Sequence, residues 1–185
     1  MVRLSFFNCG IGVDGARALA DLLRGDGHPA LKSLELGCDQ NIGDEGAVAL
    51  AGGLCEAPRT MLKTLNLGVR MGDVGMAALA SVIEHGRMGQ LRYINYGMTD
   101  KGLVALARAI DAWGLPKLQE VEICMGGGEY TALGFGALAL AFVRGCPKMN
   151  HLSLVCPDPG LDKTALKTMI RGMLLAAGRT AEVYV

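Results

Sequence analysis

The chain is poor in charged residues and has no excess of either sign. Eighteen Lys and Arg oppose 18 Asp and Glu, and charged residues make up 19% of the 185 positions, against about 25% in typical soluble domains. A balanced charge produces no long-range field that would attract nucleic acid or an anionic membrane. We therefore expect no nucleic-acid partner. The hydrophobic fraction of 51% has two interpretations, a surface that a partner covers or a count raised by Ala and Gly.

Long apolar runs and targeting segments are also absent from the sequence. No run approaches the roughly 18 residues of a membrane span, so we expect no direct membrane insertion. Residues 1–10 have neither the apolar stretch of a secretory signal nor the Arg- and Ser-rich composition of a transit peptide. We expect an intracellular protein, cytoplasmic or inside an organelle from which a targeting segment was removed.

The six cysteines form no C-x-x-C pair, and the chain has only three histidines. This pattern argues against a zinc site and against a disulfide framework. We predict free thiols in a reducing compartment, and no metal or other cofactor. The cysteines are Cys9, Cys38, Cys55, Cys124, Cys146 and Cys156.

A template of the form L-x-x-L-x-L recurs along the whole chain at intervals of 27 to 31 residues. The clearest copy is Leu31/Leu34/Leu36. Each copy predicts a short strand whose template residues face the core while the intervening residues face the other side. Copies begin at Met1, Leu31, Leu62, Leu91, Leu118, Met149 and, weakly, Thr180.

A second pattern, G-A-x-A-L-A, follows each of the first five strands. It starts at Gly15, Gly46 and Gly75, with degenerate copies at Gly102 and Gly136. Apolar residues at spacings of three and four predict an amphipathic helix. In the second repeat this face consists of Ala47, Leu50, Ala51 and Leu54, and in the sixth of Leu166, Met169, Ile170 and Met173.

Three aspartates lie near the predicted helix starts, at Asp44, Asp73 and Asp100. A short acidic side chain there can accept hydrogen bonds from the first exposed amides of its helix. We therefore predict that each aspartate caps the helix it precedes.

Parallel strands joined by helices are the arrangement that this alternation predicts. The expected fold is an α/β leucine-rich-repeat solenoid, with a curved parallel sheet inside and helices outside. We expect a single domain over residues 1–185 with about six repeats plus a terminal strand.

The combined pattern resembles ribonuclease-inhibitor-like leucine-rich repeats, most clearly over Leu31 to Leu54. Its G-A-x-A-L-A core is similar to the GALA proteins of plant-pathogenic bacteria. The resemblance implies a horseshoe that binds protein partners. GALA proteins act as ubiquitin-ligase adaptors through an F-box, for which this chain has no matching segment. The related Ran GTPase-activating protein has a longer array, and its functional residues map onto no positions here.

We therefore expect a non-enzymatic protein-interaction module, a structural or scaffolding subunit of a larger assembly. The alternative is a regulator of a partner enzyme, either GTPase activator-like or a ubiquitin-ligase substrate adaptor. Further repeats or an F-box in a longer parent protein would favour the alternative.

The concave face is the first candidate site, because polar residues occupy its outward strand positions. Tyr93 has the amphipathic ring of an interface hot spot, and neighbouring charges would fix the register of a partner. The alternative is an ordinary solvated sheet face. The predicted partner-binding residues are Glu35, Asn66, Tyr93, Asn95, Glu120, Glu122 and His151.

The sequence lacks the residues that two chemical alternatives, a catalytic site and a nucleotide site, would need. Glu120 and Glu122 share a face as a catalytic carboxylate pair would, but no histidine or nucleophile is placed to work with them. The glycine-rich segment at residues 124–131 contains no lysine to hold a phosphate, so we expect a partner-contacting loop rather than a nucleotide site.

The two ends are the second candidate site. Phe6 and Phe7 lie in the first strand, and Val183 and Tyr184 in the last. A terminal strand presents unpaired backbone groups beside apolar side chains. We expect at least one end to contact a partner.

Overall fold

The computed structural model describes residues 2–25, 31–37, 42–56, 63–67, 70–85, 90–95, 98–125, 130–155, 160 and 162–185. Strands and helices alternate, as the two patterns predict. The strands are β1 Val2–Phe7, β2 Leu31–Gly37, β3 Thr64–Leu67, β4 Gln90–Asn95, β5 Glu120–Met125, β6 His151–Val155 and β7 Glu182–Tyr184. The helices are α1 Val13–Arg24, α2 Gly43–Glu56, α3 Asp73–Ser81, α4 Asp100–Trp113, α5 Ala132–Gly145 and α6 Lys163–Ala176, and a 3₁₀ turn at Val82–His85 follows α3.

The seven strands form one sheet in the order of the sequence. Every neighbouring pair is parallel, which confirms the prediction of a parallel sheet. Among the described residues, each connection between neighbouring strands contains one α-helix, and the β3–β4 connection also contains the 3₁₀ turn. Each strand and its α-helix therefore form one repeating structural unit.

The core lies between the sheet and the helices. Leu34, Leu65 and Leu152 are at most 1% exposed, which confirms the inward template positions. Burial of these side chains removes about 25 cal/mol of unfavourable apolar hydration per Å². The predicted face of α2 is also buried. In α6 the buried face is rotated, because Leu166, Ile170 and Leu174 are buried while the predicted Met169 and Met173 are only partly covered.

The predicted phase of the fourth repeat is wrong. The sheet register pairs Leu91 with Leu65 and Tyr93 with Leu67, so the template there ends at Tyr93 rather than at Tyr96. An L-x-x-L repeat fits equally well when it is displaced by three residues. The distance to the next helix glycine distinguishes the two phases: Phe6 precedes Gly15 by nine positions, and Tyr93 precedes Gly102 by the same number.

The fifth helix pattern is also displaced from its predicted position. Gly134 is buried, and a Cβ there would lie 2.9 Å from Leu103 of α4. The predicted Gly136 is only partly buried. Gly134 is therefore the equivalent of Gly102 in α4.

The first and last helix pairs pack differently. A Cβ on Gly53 of α2 would lie 2.6 Å from the Cα of Ala20 in α1, so glycine allows these two backbones to approach. At Gly172, an exposed position of α6, a Cβ would meet no atom within 4 Å. The helix pair α1–α2 is therefore closely packed at Gly53, whereas Gly172 has open space around it.

The last unit is anchored by one arginine. The guanidinium of Arg179 donates to the carbonyl oxygens of Val143 at 2.8 Å and Met149 at 3.1 Å, and also to those of Phe142 and Cys146. Carbonyl groups at a helix C-terminus have no partner inside the helix. Arg179 thus satisfies the end of α5 from the segment that leads into β7.

The predicted caps act between helices rather than within them. The carboxylate of Asp44 in α2 accepts hydrogen bonds from backbone amides at the start of α3, and Asp73 in α3 does the same for α4. Asp100 in α4 accepts from Thr131, which precedes α5. The prediction that each aspartate caps its own helix is therefore wrong about the recipient.

Candidate functional site

Two rows of mostly polar residues cross the sheet on the side away from the core, and we call them the polar face. Parallel pairing aligns one residue from each strand in each row. The first row is Arg3, Ser33, Thr64, Gln90, Glu120, His151 and Glu182. The second row is Ser5, Glu35, Asn66, Arg92, Glu122, Ser153 and Tyr184.

At the β1 end of the polar face, polar groups satisfy one another. Glu35 is only 8% exposed, and its carboxylate accepts from Arg3 at 2.6 Å and from the Ser33 hydroxyl at 2.9 Å. Desolvation alone would raise the pKa of Glu35, but the hydrogen bonds from Arg3 and Ser33 outweigh it and lower the pKa. Glu35 therefore remains charged in the fold and offers a partner little surface.

At the β7 end, the polar face is more accessible. The rings of His151 and Tyr184 lie 5.4 Å apart between centroids, and His151 Nδ1 is 3.5 Å from the Glu182 carboxylate. Lys167 of α6 places its ammonium 5.7 Å from the centre of the Tyr184 ring. Tyr184 is still 50% exposed, so one aromatic ring is available to a partner here.

A recess of about 540 Å³ opens beside these residues. Glu120, Asn150, His151 and Glu182 line it. Sequence reasoning placed Glu120 and His151 on one face, and the structure brings them together on adjacent strands. It did not identify Asn150, which precedes β6 and belongs to neither outward row.

In the middle of the polar face, the side chain of Asn66 is half-buried. Its Oδ1 atom is buried and has no hydrogen-bond partner among the described residues. Buried acceptors are normally satisfied. Within the described part of the chain, Asn66 is thus a point of incomplete hydrogen bonding on the candidate surface.

Tyr93 and Asn95 do not occupy the predicted rows. Tyr93 pairs with Leu67 and Ile123, whose side chains are buried, and Asn95 pairs with Met125. In the backbone register, Gln90 pairs with Thr64 and Glu120, and Arg92 pairs with Asn66 and Glu122. This correction follows from the displaced phase of the fourth repeat.

The two ends differ in exposure. Phe7 is 55% exposed, and its ring lies over Gly37, whereas Phe6 is half-buried. Val183 is only 2% exposed, so its prediction as an accessible end residue is wrong: its side chain packs into the core. Phe7 and Tyr184 are the end residues that a partner can reach.

Other chemistry has little support among the described residues. Within the described ranges, no group of three or more His, Cys, Asp or Glu could hold a metal ion. Burial raises the pKa of the Cys146 thiol to about 12 despite the opposing charge of Arg179, so this thiol is unreactive near neutral pH. Cys9 and Cys55 are also free of disulfide bonds. The part of the glycine-rich loop at 126–129 lies outside the described residues.

None of the helices in the described part of the chain is long and apolar enough to cross a membrane.

Comparison with known proteins gives one family match. Residues 1–20 and 28–51, about a quarter of the chain, match the family described as Leucine Rich repeat. They contain the first two copies of both sequence patterns. No curated protein matches the chain. Leucine-rich-repeat domains commonly mediate protein–protein interaction and are typically non-enzymatic. The family match and the parallel strand-and-helix fold support a leucine-rich-repeat protein.

Proposed function

We propose that this chain is a non-enzymatic protein-interaction module and a scaffolding subunit of a larger intracellular assembly. The observation that carries the proposal is the polar face, two side-chain rows across seven strands whose opposite side is the core. A sheet surface of this kind offers many side chains in fixed register to one partner.

The β7 end of the polar face has the best features for binding. Tyr184 and Glu182 are exposed, and His151 and Glu120 line the adjacent recess. An aromatic ring beside charges supplies both buried area and orientation at an interface. Asn66 and Glu122 continue the contact, while Phe7 provides an apolar contact at the β1 end.

The repeat subtype, the domain organisation and the curvature of the sheet are part of the same proposal. The I-G-D-E-G-A-V-A-L-A sequence of the second repeat supports a ribonuclease-inhibitor-like, GALA-type repeat. We take residues 1–185 as one domain, and we expect its sheet to curve as a horseshoe with the polar face inside.

Two substitutions at the β7 end test the partner surface. We expect Glu182→Lys and Tyr184→Ala to reduce recovery of a specific partner from an extract of the source organism about tenfold or more, the loss of one hot spot. Both side chains are exposed, so the fold should remain intact by circular dichroism. Quantitative mass spectrometry of the captured proteins is the measurement.

Asp111→Lys is the matched control, because it makes a similar charge change at an exposed position of α4. The control should recover the partner as the wild type does. Equal recovery by all variants, or equal loss in the control, would contradict the polar face as the binding surface.

A further inference from the structure

The aspartates at the helix starts form a one-directional series, which we call the aspartate ladder: Asp44, Asp73 and Asp100. Asp44 Oδ1 accepts from the amides of Gly72 at 2.6 Å and Gly75 at 2.9 Å. In each case the acceptor belongs to one repeat and the donors belong to the next. The ladder therefore joins α2 to α3, α3 to α4 and α4 to α5.

The second and third steps add a hydroxyl to the same geometry. Asp73 Oδ1 accepts from the amides of Thr99 at 2.8 Å and Gly102 at 2.9 Å, and Oδ2 accepts from the Thr99 hydroxyl at 2.7 Å. Asp100 accepts from the Thr131 amide at 2.8 Å and its hydroxyl at 2.7 Å. Hydrogen bonds to a carboxylate are stronger than neutral ones.

The helix glycines make room for the ladder. A Cβ would lie 2.8 Å from Asp44 Oδ1 at Gly75, and 2.9 Å from Asp73 Oδ1 at Gly102. At Gly134 it would lie 2.2 Å from Asp100 Oδ1. The recurring glycine and the recurring aspartate are thus two parts of one contact between neighbouring repeats.

The aspartate ladder includes neither α1 nor α6. The position of Asp44 is occupied by Val13 in α1 and by Ala132 in α5, and neither side chain can accept a hydrogen bond. The start of α6 is instead capped by its own preceding residue, since Asp162 accepts from the Ala165 amide at 2.9 Å. The four helices α2 to α5 are the ones that the ladder connects.

We propose that the aspartate ladder couples α2, α3, α4 and α5 into one cooperative unfolding unit, with α1 and α6 outside it. The first amides of a helix have no partner within that helix. Unfolding of one repeat therefore removes the acceptor of the next repeat and leaves its amides unsatisfied. Coupling between neighbours decides how much of a repeat protein opens together.

Hydrogen exchange of the full chain in increasing denaturant tests this. In the wild type, we expect the most protected amides of α2 to α5 to exchange with a common denaturant dependence. Asp73→Ala should split that group at the α3–α4 junction and lower protection in α4 about 10- to 100-fold, the loss of several charged hydrogen bonds. Asp73→Asn, which keeps an acceptor oxygen, should have a smaller effect.

Asp14→Ala is the matched control, because Asp14 lies in the first turn of α1, its side chain is 97% exposed, and it pairs only within α1, with Arg17. It should leave the α2–α5 group intact. A uniform loss of protection without splitting, or the same effect from Asp14→Ala, would overturn the proposal.

Val13→Asp provides a gain-of-coupling test that does not depend on a destabilised variant. It places a carboxylate at the position equivalent to Asp44, next to the start of α2. We expect α1 to join the cooperative unit, with its protection increased about threefold or more. Unchanged exchange in α1 would show that an aspartate at this position does not couple repeats, which contradicts the proposal.

Discussion

The middle and the ends of the repeat stack are joined by different chemistry. From α2 to α5, a carboxylate of each helix accepts from backbone amides at the start of the next. Between α1 and α2, the polar links are exposed ion pairs, Arg17 with Glu45 and Arg24 with Glu56. Between α5 and the last strand, Arg179 donates to carbonyl oxygens. Neighbouring repeats of the same architecture can therefore be joined by different kinds of local contact.

The ion pairs between α1 and α2 are the weakest of these polar links, because exposed pairs are screened by water and salt. Their junction relies instead on the close backbone approach at Gly53. Gly172 of α6 is instead exposed, and a Cβ there would meet no atom within 4 Å. The contrast between a buried and an exposed helix glycine predicts opposite responses to the same substitution at Gly53 and Gly172.

Gly53→Ala should have the largest effect, a loss of about 2 kcal/mol in the free energy of unfolding, within the range of about 1–3 kcal/mol that is typical of overpacking. The reason is that the new methyl group meets the backbone of Ala20. Gly172→Ala should instead stabilise by about 0.5–1 kcal/mol, because alanine favours an open helix position over glycine. Chemical denaturation at pH 7 measures both.

The two variants test each other. Each adds one methyl group to a helix glycine, so propensity alone predicts that both stabilise. A stabilised Gly53→Ala protein would show that α1 and α2 are not in close backbone contact.

Arg179→Ala should cost roughly 2 kcal/mol, because it leaves several carbonyl groups at the end of α5 without a charged donor. The loss of stability should be largest in α6 and β7, and hydrogen exchange of these two elements measures it. Arg171→Ala is the matched control, since Arg171 is exposed on α6 and should change stability little. Equal losses in the two variants would mean that the carbonyl contacts of Arg179 do not hold the last unit.

Acid should weaken the middle of the stack through Asp73. Burial alone would raise the pKa of this carboxyl, but hydrogen bonds from Thr99 and Gly102 outweigh it, and the pKa lies below its ordinary value of 3.8. A lowered pKa in the folded state means that the charged form contributes stability above pH 3.8 and loses it as the pH falls through the folded-state value.

Denaturation of wild type and Asp73→Asn between pH 7 and pH 2 measures this contribution. The wild type should be more stable at pH 7, and the difference should shrink as the pH falls and Asp73 becomes protonated. A difference that does not change with pH would assign the loss to geometry rather than to charge.

Local patterns predicted much of the fold correctly. Leucine spacing located the strands, because residues at those positions contact the core directly, and Ala47 and Leu50 marked the buried side of α2 in the same way. The phase of β4 was wrong because a three-residue displacement preserves the L-x-x-L spacing. Only the distance from Tyr93 to the next helix glycine separates the two phases.

Contacts between repeats were harder to predict. The sequence showed an aspartate near the start of α3 but not that its carboxylate reaches α4, because that depends on how closely the helices stack. For the same reason, Val183 was predicted to be accessible but is covered in the fold. The sequence predicted that Glu120 and His151 share one face, and they pair on adjacent strands. The pairing of Arg92 with Asn66 and Glu122 became known only from the register.

The direction of the aspartate ladder has an evolutionary consequence. Because Asp44 and Asp73 present the same acceptor to the next helix, and because Gly75 and Gly102 accommodate it in the same way, the middle units are interchangeable at their boundaries. Duplication or deletion of one whole unit within α2 to α5 would place a compatible acceptor beside a compatible helix start. Selection can therefore change the length of the polar face in the middle of the array without redesigning a junction, whereas growth beyond α1 or α6 requires a new contact.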